Sequence, residues 1–229
     1  MARSSFSNKI AGVFEKGNPE YEYAGTYLVE LRTSWRENER GITRSSTLIV
    51  GLAVIFELAL NNKTSATLFG IQITSTNVLR FSLIVIVAYL WYGTIFSFIE
   101  SEIFFSVHSE IIKKVYPALY GADGERQLSP ANSMIGSVER VTSALKDRTM
   151  ERNLAVITGA LRPILIVIAP PVYIGAAYVQ LFVKYGLSNG LLWGSFAISG
   201  ILLIAGCSNV YLLALIVGRK LWITGSGRR

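Results

Sequence analysis

The chain has 229 residues and a formal net charge of +7, and 51% of its residues are apolar while only 16% are charged. Soluble globular domains are about one quarter charged, so this composition is typical of a membrane-embedded protein. The single Cys excludes an intrachain disulfide framework and Cys-rich metal sites, and the single His excludes multi-His metal centres. The composition therefore excludes most enzyme classes that depend on these residues.

Four segments are apolar enough to cross a bilayer, for which a helix needs roughly 20 apolar residues. They are residues 45–60, 81–99, 163–183 and 191–217. The first 18 residues lack the apolar core of a signal peptide, so we expect that the start is not cleaved for export. The sequence thus predicts an all-α integral membrane fold with four transmembrane helices.

Basic residues are distributed unevenly around these four spans. Most of the 22 Lys and Arg residues lie before the first span, between the second and third, and after the fourth. The other two connections hold only Lys63 and Lys184. The positive-inside rule then predicts a multi-pass protein of the inner (plasma) membrane with both termini in the cytosol. The same bias explains the net charge, so direct binding of nucleic acid is not expected.

Helical periodicity continues outside the spans. A juxtamembrane helix that leads into the first span carries apolar residues on one face: Ala24, Tyr27, Leu28, Leu31 and Trp35. The second span reads on past the membrane through Val107, Ile111 and Val115. A further apolar stripe over 131–145 follows a turn and predicts a cytosolic helical hairpin between spans two and three. This hairpin is either a bundle that stabilises the fold or a docking platform for a partner.

These observations predict five regions along the chain. They are a cytosolic N-terminal region at 1–44, spans one and two at 45–105, the cytosolic hairpin at 106–153, spans three and four at 154–218, and a cytosolic tail at 219–229. In the connection between the first two spans, the β-branched and aromatic run at 67–74 has Gly70 at a turn position. This run predicts a short β-hairpin.

Charged residues in or beside the spans need partners, because an ionisable group in hydrocarbon is costly. Glu57 near the end of span one and Arg80 near the start of span two are joined by a short connection, which allows an intramembrane ion pair. Alternatively, each side chain reaches the headgroups separately, or Glu57 is an ion or proton site. Arg162 is expected near the inner interface, where it pairs with Glu100 and Glu102 or extends to lipid phosphate.

Pro170 and Pro171 lie inside the third span. Two adjacent prolines remove two backbone donors, so the helix is expected to kink or break there. A kink serves packing geometry in most proteins, whereas broken helices line substrate sites in transporters.

The fourth span is rich in small residues. Gly190 and Gly194 form a GxxxG pair, and Ser195 and Ser199 repeat its spacing. Such surfaces let helices approach closely, so these four residues are the predicted face of a homo-oligomer.

Four arginines precede the first span at intervals of four: Arg32, Arg36, Arg40 and Arg44. A continuous helix places them on one ridge, which Gly41 would split if it interrupted the helix. Like charges at this spacing repel, so the ridge does not serve helix stability. It either anchors the protein to anionic lipid of the inner leaflet or docks an acidic protein.

The sequence contains no P-loop, HExxH, nucleophile elbow or dinucleotide fingerprint. His108 stands alone on the extended second helix and is expected to be a polar surface residue. We therefore expect no catalytic residue, metal site or cofactor. Two functional classes remain: a non-enzymatic homo-oligomeric sensor or scaffold that recruits a cytosolic protein, and an oligomeric channel or depolarising pore. A transporter would need several chains to form its path.

The layout of four spans with cytosolic helices before and between them resembles the small four-span membrane components of bacterial antiphage defence systems of the Kiwa type. The resemblance covers the chain in outline, through the four spans given above, and includes no specific motif. It implies an oligomer that senses membrane perturbation during infection and acts with a cytosolic partner. It assigns no role to any individual residue.

Overall fold

A computed structural model describes the backbone of most of the chain. The described residues are 6–61, 66–68, 71–73, 76–118 and 149–226, and their side chains are described over 9–60, 77–118, 161 and 164–212. The helices are α1 (Phe6–Val13), α2 (Ala24–Asn61), α3 (Thr76–Val115), α4 (Thr149–Tyr185) and α5 (Gly190–Ser226). A short 3-10 helix, Pro19–Tyr23, precedes α2.

Four of these helices are long and apolar enough to cross a membrane. The segments that meet this condition lie within Pro19–Leu60, Asn77–Val115, Ile164–Tyr185 and Gly190–Leu212. The prediction of a helical protein with four membrane-spanning helices is confirmed at this level.

A small β-hairpin lies where the β-branched run predicts one. Strand β1 (Ala66–Leu68) pairs antiparallel with β2 (Ile71–Ile73), so that residue 66 lies opposite residue 73 and residue 68 opposite residue 71. The hairpin joins the end of α2 to the start of α3.

Two helices run without interruption through residues that often end a helix. Helix α2 continues through Gly41, which therefore does not split the arginine ridge. Helix α4 continues through Pro170 and Pro171, so the prolines do not break it.

The contacts within the chain divide it into two compact units. Unit 1 comprises Met1–Ile42 and Ser97–Pro163, and unit 2 comprises Thr43–Phe96 and Ile164–Arg229. The core of unit 1 is built from α1, the first part of α2 and the last part of α3: Ala11, Phe14, Ala24, Leu28, Leu31, Val107, Ile111, Ile112 and Val115. The largest buried side chains of unit 2 are Phe56, Ile84, Trp91, Ile95, Ile174, Leu181 and Leu192, with Ile95 near its boundary.

The core of unit 1 contains residues of the apolar faces predicted for the extended helices, among them Leu28, Leu31, Val107 and Ile111. His108 is the exception to the sequence interpretation. It was expected at the surface, but only 1% of it is exposed. The buried face of α3 is wider than the predicted stripe and includes Ile112 as well. The second helix of the predicted hairpin, at 131–145, lies outside the described residues.

Candidate functional site: polar groups buried between helices

Cations from other helices cap the carboxyl end of α2. The last four carbonyls of an α-helix lack an intrahelical partner, and the last turn of α2 contains no basic residue. Arg80 Nε donates to the carbonyl oxygen of Ala59 at 2.8 Å, and Lys184 Nζ donates to that of Leu60. Arg80 also donates to the Tyr185 hydroxyl and is only 5% exposed. The negative end of the α2 dipole therefore stabilises this buried guanidinium.

Glu57 lies about one turn before the end of α2, and its partner is a tyrosine of α4. The Tyr173 hydroxyl lies 3.0 Å from the carbonyl oxygen of Ala53 and 3.3 Å from Glu57 Oε1, so these two acceptors share its proton. The contacts thus place Glu57 with a tyrosine and Arg80 with backbone carbonyls. The ion pair between Glu57 and Arg80 stays a prediction. Sequence reasoning missed Tyr173 as a partner, because no local pattern indicates which helix it faces.

Trp91 of α3 fills the gap that a proline leaves in α4. Pro171 has no N–H, so the carbonyl of Val167, four residues earlier, loses its helical donor. Trp91 Nε1 donates to this carbonyl at 3.1 Å. On α5, Gly206 lies so close to the Trp91 ring that an added Cβ would overlap it. Trp91 therefore connects three helices of unit 2. Pro170, the other proline of the predicted kink, is buried.

The small residues of α5 separate into two pairs. Ser195 Oγ donates to the carbonyl of Leu192, and Ser199 Oγ lies 2.8 Å from the Tyr178 hydroxyl. Both serines are buried within unit 2. Gly190 and Gly194 instead have open space where a side chain would project. They line an apolar groove of about 420 Å³ with residues of α3 that include Val78, Phe81, Ser82, Val85 and Ile86. The oligomer face stays a prediction, and only its glycines are open.

Unit 1 contains a polar seam between α2 and α3. Trp35 Nε1 donates to Glu39 Oε1 at 3.4 Å, and both residues are buried. Asn38 Nδ2 donates to the carbonyl of Ser97 at 2.7 Å and to Ser101 Oγ at 2.9 Å. The two Asn38 bonds fix the register of α2 against α3, because sliding one helix past the other would break both of them.

Beside this seam lie two buried nitrogens for which the described residues offer no hydrogen-bond partner. The His108 ring contacts Trp35 edge to face, with the ring centroids 5.9 Å apart. Its Nε2 and the Nε of Arg32 are both buried and have no hydrogen-bond partner in the part of the chain that the structure describes. An unsatisfied buried polar group costs about 1–3 kcal/mol, which makes these two nitrogens the candidate site of unit 1.

The arginine ridge is continuous along α2, but its four residues differ in their exposure to solvent. Arg36, Arg40 and Arg44 are exposed, whereas Arg32 is half-buried at the edge of unit 1. The structure therefore sets Arg32 apart from the other three, which the regular spacing in the sequence does not indicate.

The predicted inner-interface charges are described only in part. Glu102 is buried and Glu100 is half-buried, while the side chain of Arg162 lies outside the described side chains, so their pairing stays a prediction. Among the described residues, no group of three or more His, Cys, Asp or Glu side chains is placed to hold a metal ion.

The four long apolar helices are the feature of a multi-pass helical membrane protein. No protein-family model, curated protein or solved structure matches the chain.

Proposed function

We propose that the chain is a non-enzymatic, homo-oligomeric membrane sensor or scaffold that recruits a cytosolic protein partner. The observation that carries this proposal is the extension of α2 and α3 beyond the length a membrane needs. They contain 38 and 40 residues, whereas a crossing takes about 20.

The extensions support a docking role because they form an ordered body. Their apolar faces join α1 in the core of unit 1, and a polar seam fixes the register of α2 against α3. A connection between two helices in a bundle commonly needs only about 2–8 residues. A structure of this size is more than a connector requires, which favours the platform over a bundle that only stabilises the fold.

The proposed topology places both termini and unit 1 in the cytosol, at the inner (plasma) membrane. The support is the uneven distribution of Lys and Arg between the two sides of the spans. Unit 1 is then on the side where a cytosolic protein can reach it.

The proposed homo-oligomer forms through α5. Gly190 and Gly194 leave open space on the apolar surface of unit 2, which allows close approach of a helix from another copy. The outline resemblance to Kiwa-type membrane components extends the proposal to antiphage defence, in which the assembly would respond to membrane perturbation.

An oligomeric channel or depolarising pore is the second candidate. The observation that favours it is the half-buried carboxylate of Glu57 inside a span, because intramembrane acidic residues mark ion paths in many membrane proteins.

Recovery of the tagged chain from native membranes distinguishes the two functions. The scaffold predicts a cytosolic protein that co-purifies in a fixed ratio and no conductance from the purified chain in liposomes. Conductance without a partner, abolished by Glu57→Gln, would support the pore and contradict the scaffold.

A further inference from the structure

We propose that Arg32 and Arg36 form the docking point for an acidic segment of the cytosolic partner. This inference rests on the proposed recruitment function and adds the chemistry by which the partner is recognised. It separates these two arginines from Arg40 and Arg44, which continue the same ridge toward the membrane.

Arg32 carries the first argument, because its buried Nε lacks a hydrogen-bond partner among the described residues. Within the described part of the chain, Nε2 of the neighbouring His108 likewise has no hydrogen-bond partner. Only 1% of His108 is exposed, so water has little access to the ring, whereas Arg32 as a residue is half-buried and partly open to solvent. A carboxylate accepts two parallel hydrogen bonds from a guanidinium, which is the arrangement that this site lacks.

The acidic residues of α2 do not supply a carboxylate to Arg32 or Arg36. Glu30 lies two residues before Arg32 and Glu37 lies one residue after Arg36, and residues at these spacings do not face each other on a helix. Glu39, three residues after Arg36, is buried and accepts a hydrogen bond from Trp35. Among the described residues, no ion pair joins Arg32 or Arg36 to an acid of α2 or of α3, so we take an acidic group from another molecule as the complementary ligand for this part of the ridge.

Distance along the helix separates a protein ligand from a lipid. Since α2 is unbroken, Arg44 and Arg40 lie about 1.5 and 7.5 Å before the span that begins at residue 45. Both are within the Debye length of about 8 Å at physiological salt, so anionic headgroups attract them. Arg36 and Arg32 lie about 14 and 20 Å before the span, so the headgroup region, which is about 5–8 Å thick on each side, attracts them less than it attracts Arg40 and Arg44. A protein segment can reach them.

The test uses the full chain in nanodiscs of neutral phosphatidylcholine. The probe is a fluorescent synthetic helix with several Glu residues, and its matched control has Gln at each of those positions. The double variant R32Q/R36Q is compared with R40Q/R44Q, which removes the same charge from the same ridge. We expect R32Q/R36Q to bind the acidic peptide about tenfold or more weakly, because hydrogen bonds to charged groups are lost. R40Q/R44Q should change peptide binding little but lose binding to vesicles rich in phosphatidylglycerol.

His108 provides an independent readout, since it is the single histidine of the chain. In protein labelled with ¹⁵N-histidine, the acidic peptide should shift the imidazole signal in wild type and in R40Q/R44Q, but not in R32Q/R36Q. The variant R32K/R36K keeps the charge and loses the planar fork, so it should bind with intermediate strength. If R32Q/R36Q does not fold, the peptide affinity of R32K/R36K relative to wild type tests the docking point in its place.

Equal weakening by the two Gln double variants would overturn the proposal, because it would show attraction by net charge alone. A His108 signal that responds to anionic vesicles and not to the peptide would also overturn it, in favour of lipid. If wild type and R32K/R36K bind the peptide equally, the fork has no role and the docking point is wrong. If the R32Q/R36Q variant still recovers a cytosolic partner in a fixed ratio, the docking point is rejected and the recruitment function is kept. If the wild-type chain recovers no partner, the recruitment function itself is rejected.

Discussion

The indole N–H of Trp91 donates to the carbonyl oxygen of Val167 at 3.1 Å. In an uninterrupted helix the N–H of residue 171 would occupy that acceptor, and Pro171 has none. A backbone group without a partner costs several kcal/mol in hydrocarbon. The contact therefore explains how α4 passes a pair of prolines within a span and remains helical.

The first prediction concerns the donor. Trp91→Phe keeps an aromatic ring and removes the N–H, so it should destabilise the protein by about 1–3 kcal/mol. Pro171→Ala restores a helical donor to Val167, and the same Trp91→Phe change should cost less in that background. Thermal unfolding in detergent for the two single variants and the double variant measures this difference. An equal loss in both backgrounds would show that the ring alone matters.

The second prediction compares two glycines of α5. A Cβ at Gly206 would overlap the Trp91 ring, whereas one at Gly200 meets nothing within 4 Å. Gly206→Ala should destabilise by about 1–3 kcal/mol through overpacking. Gly200→Ala should be neutral or stabilise by about 0.5–1 kcal/mol, because alanine favours the helix. Similar unfolding temperatures for the two variants would contradict the close approach of α5 to Trp91.

The third prediction concerns the partners of Glu57. The double-mutant cycle of Glu57→Gln with Tyr173→Phe should show coupling of about 0.5–1.5 kcal/mol, since these side chains share a hydrogen bond. The cycle of Glu57→Gln with Arg80→Gln tests the predicted ion pair on the same scale. Additive losses in the second cycle would reject that pair, and additive losses in the first would reject the tyrosine contact.

The fourth prediction separates assembly from folding. Gly194→Leu adds bulk to an open surface, so it should weaken self-association and leave the unfolding temperature unchanged. Ser199→Leu replaces the partner of the buried Tyr178 hydroxyl and should lower the stability of the single chain by about 1–3 kcal/mol. Mass photometry and thermal unfolding measure the two effects. A wild-type protein that is monomeric at every concentration contradicts the homo-oligomer.

Features that repeat along the chain were predictable from the sequence. The apolar runs identified the four spans, and the spacing of Leu28, Leu31 and Trp35 identified the buried face of α2, because both signals follow the geometry of the helix itself. The short hairpin was predictable from a different local signal, the β-branched residues on either side of Gly70 in the sequence.

Features that depend on which helix faces which were not predictable. Trp91 and Val167 are 76 residues apart, and nothing near either residue indicates the contact. Arg80 donates to the orphan carbonyl of Ala59, an acceptor that no local pattern in the sequence indicates. His108 looked like a surface residue because the width of a buried face depends on the neighbouring helix, which periodicity alone does not reveal.

The central claim is that unit 1 is a docking body in the cytosol, and the labelling of one cysteine tests it most directly. Ser34 is exposed on the part of α2 that belongs to unit 1, so Ser34→Cys in a Cys207→Ser background gives a single reactive site. Ser188→Cys, in the connection between α4 and α5, is the matched control for the other side. The account predicts that an impermeant maleimide labels residue 188 in intact cells and labels residue 34 only after permeabilisation. Labelling of residue 34 in intact cells would contradict the account, because no cytosolic partner could then reach unit 1.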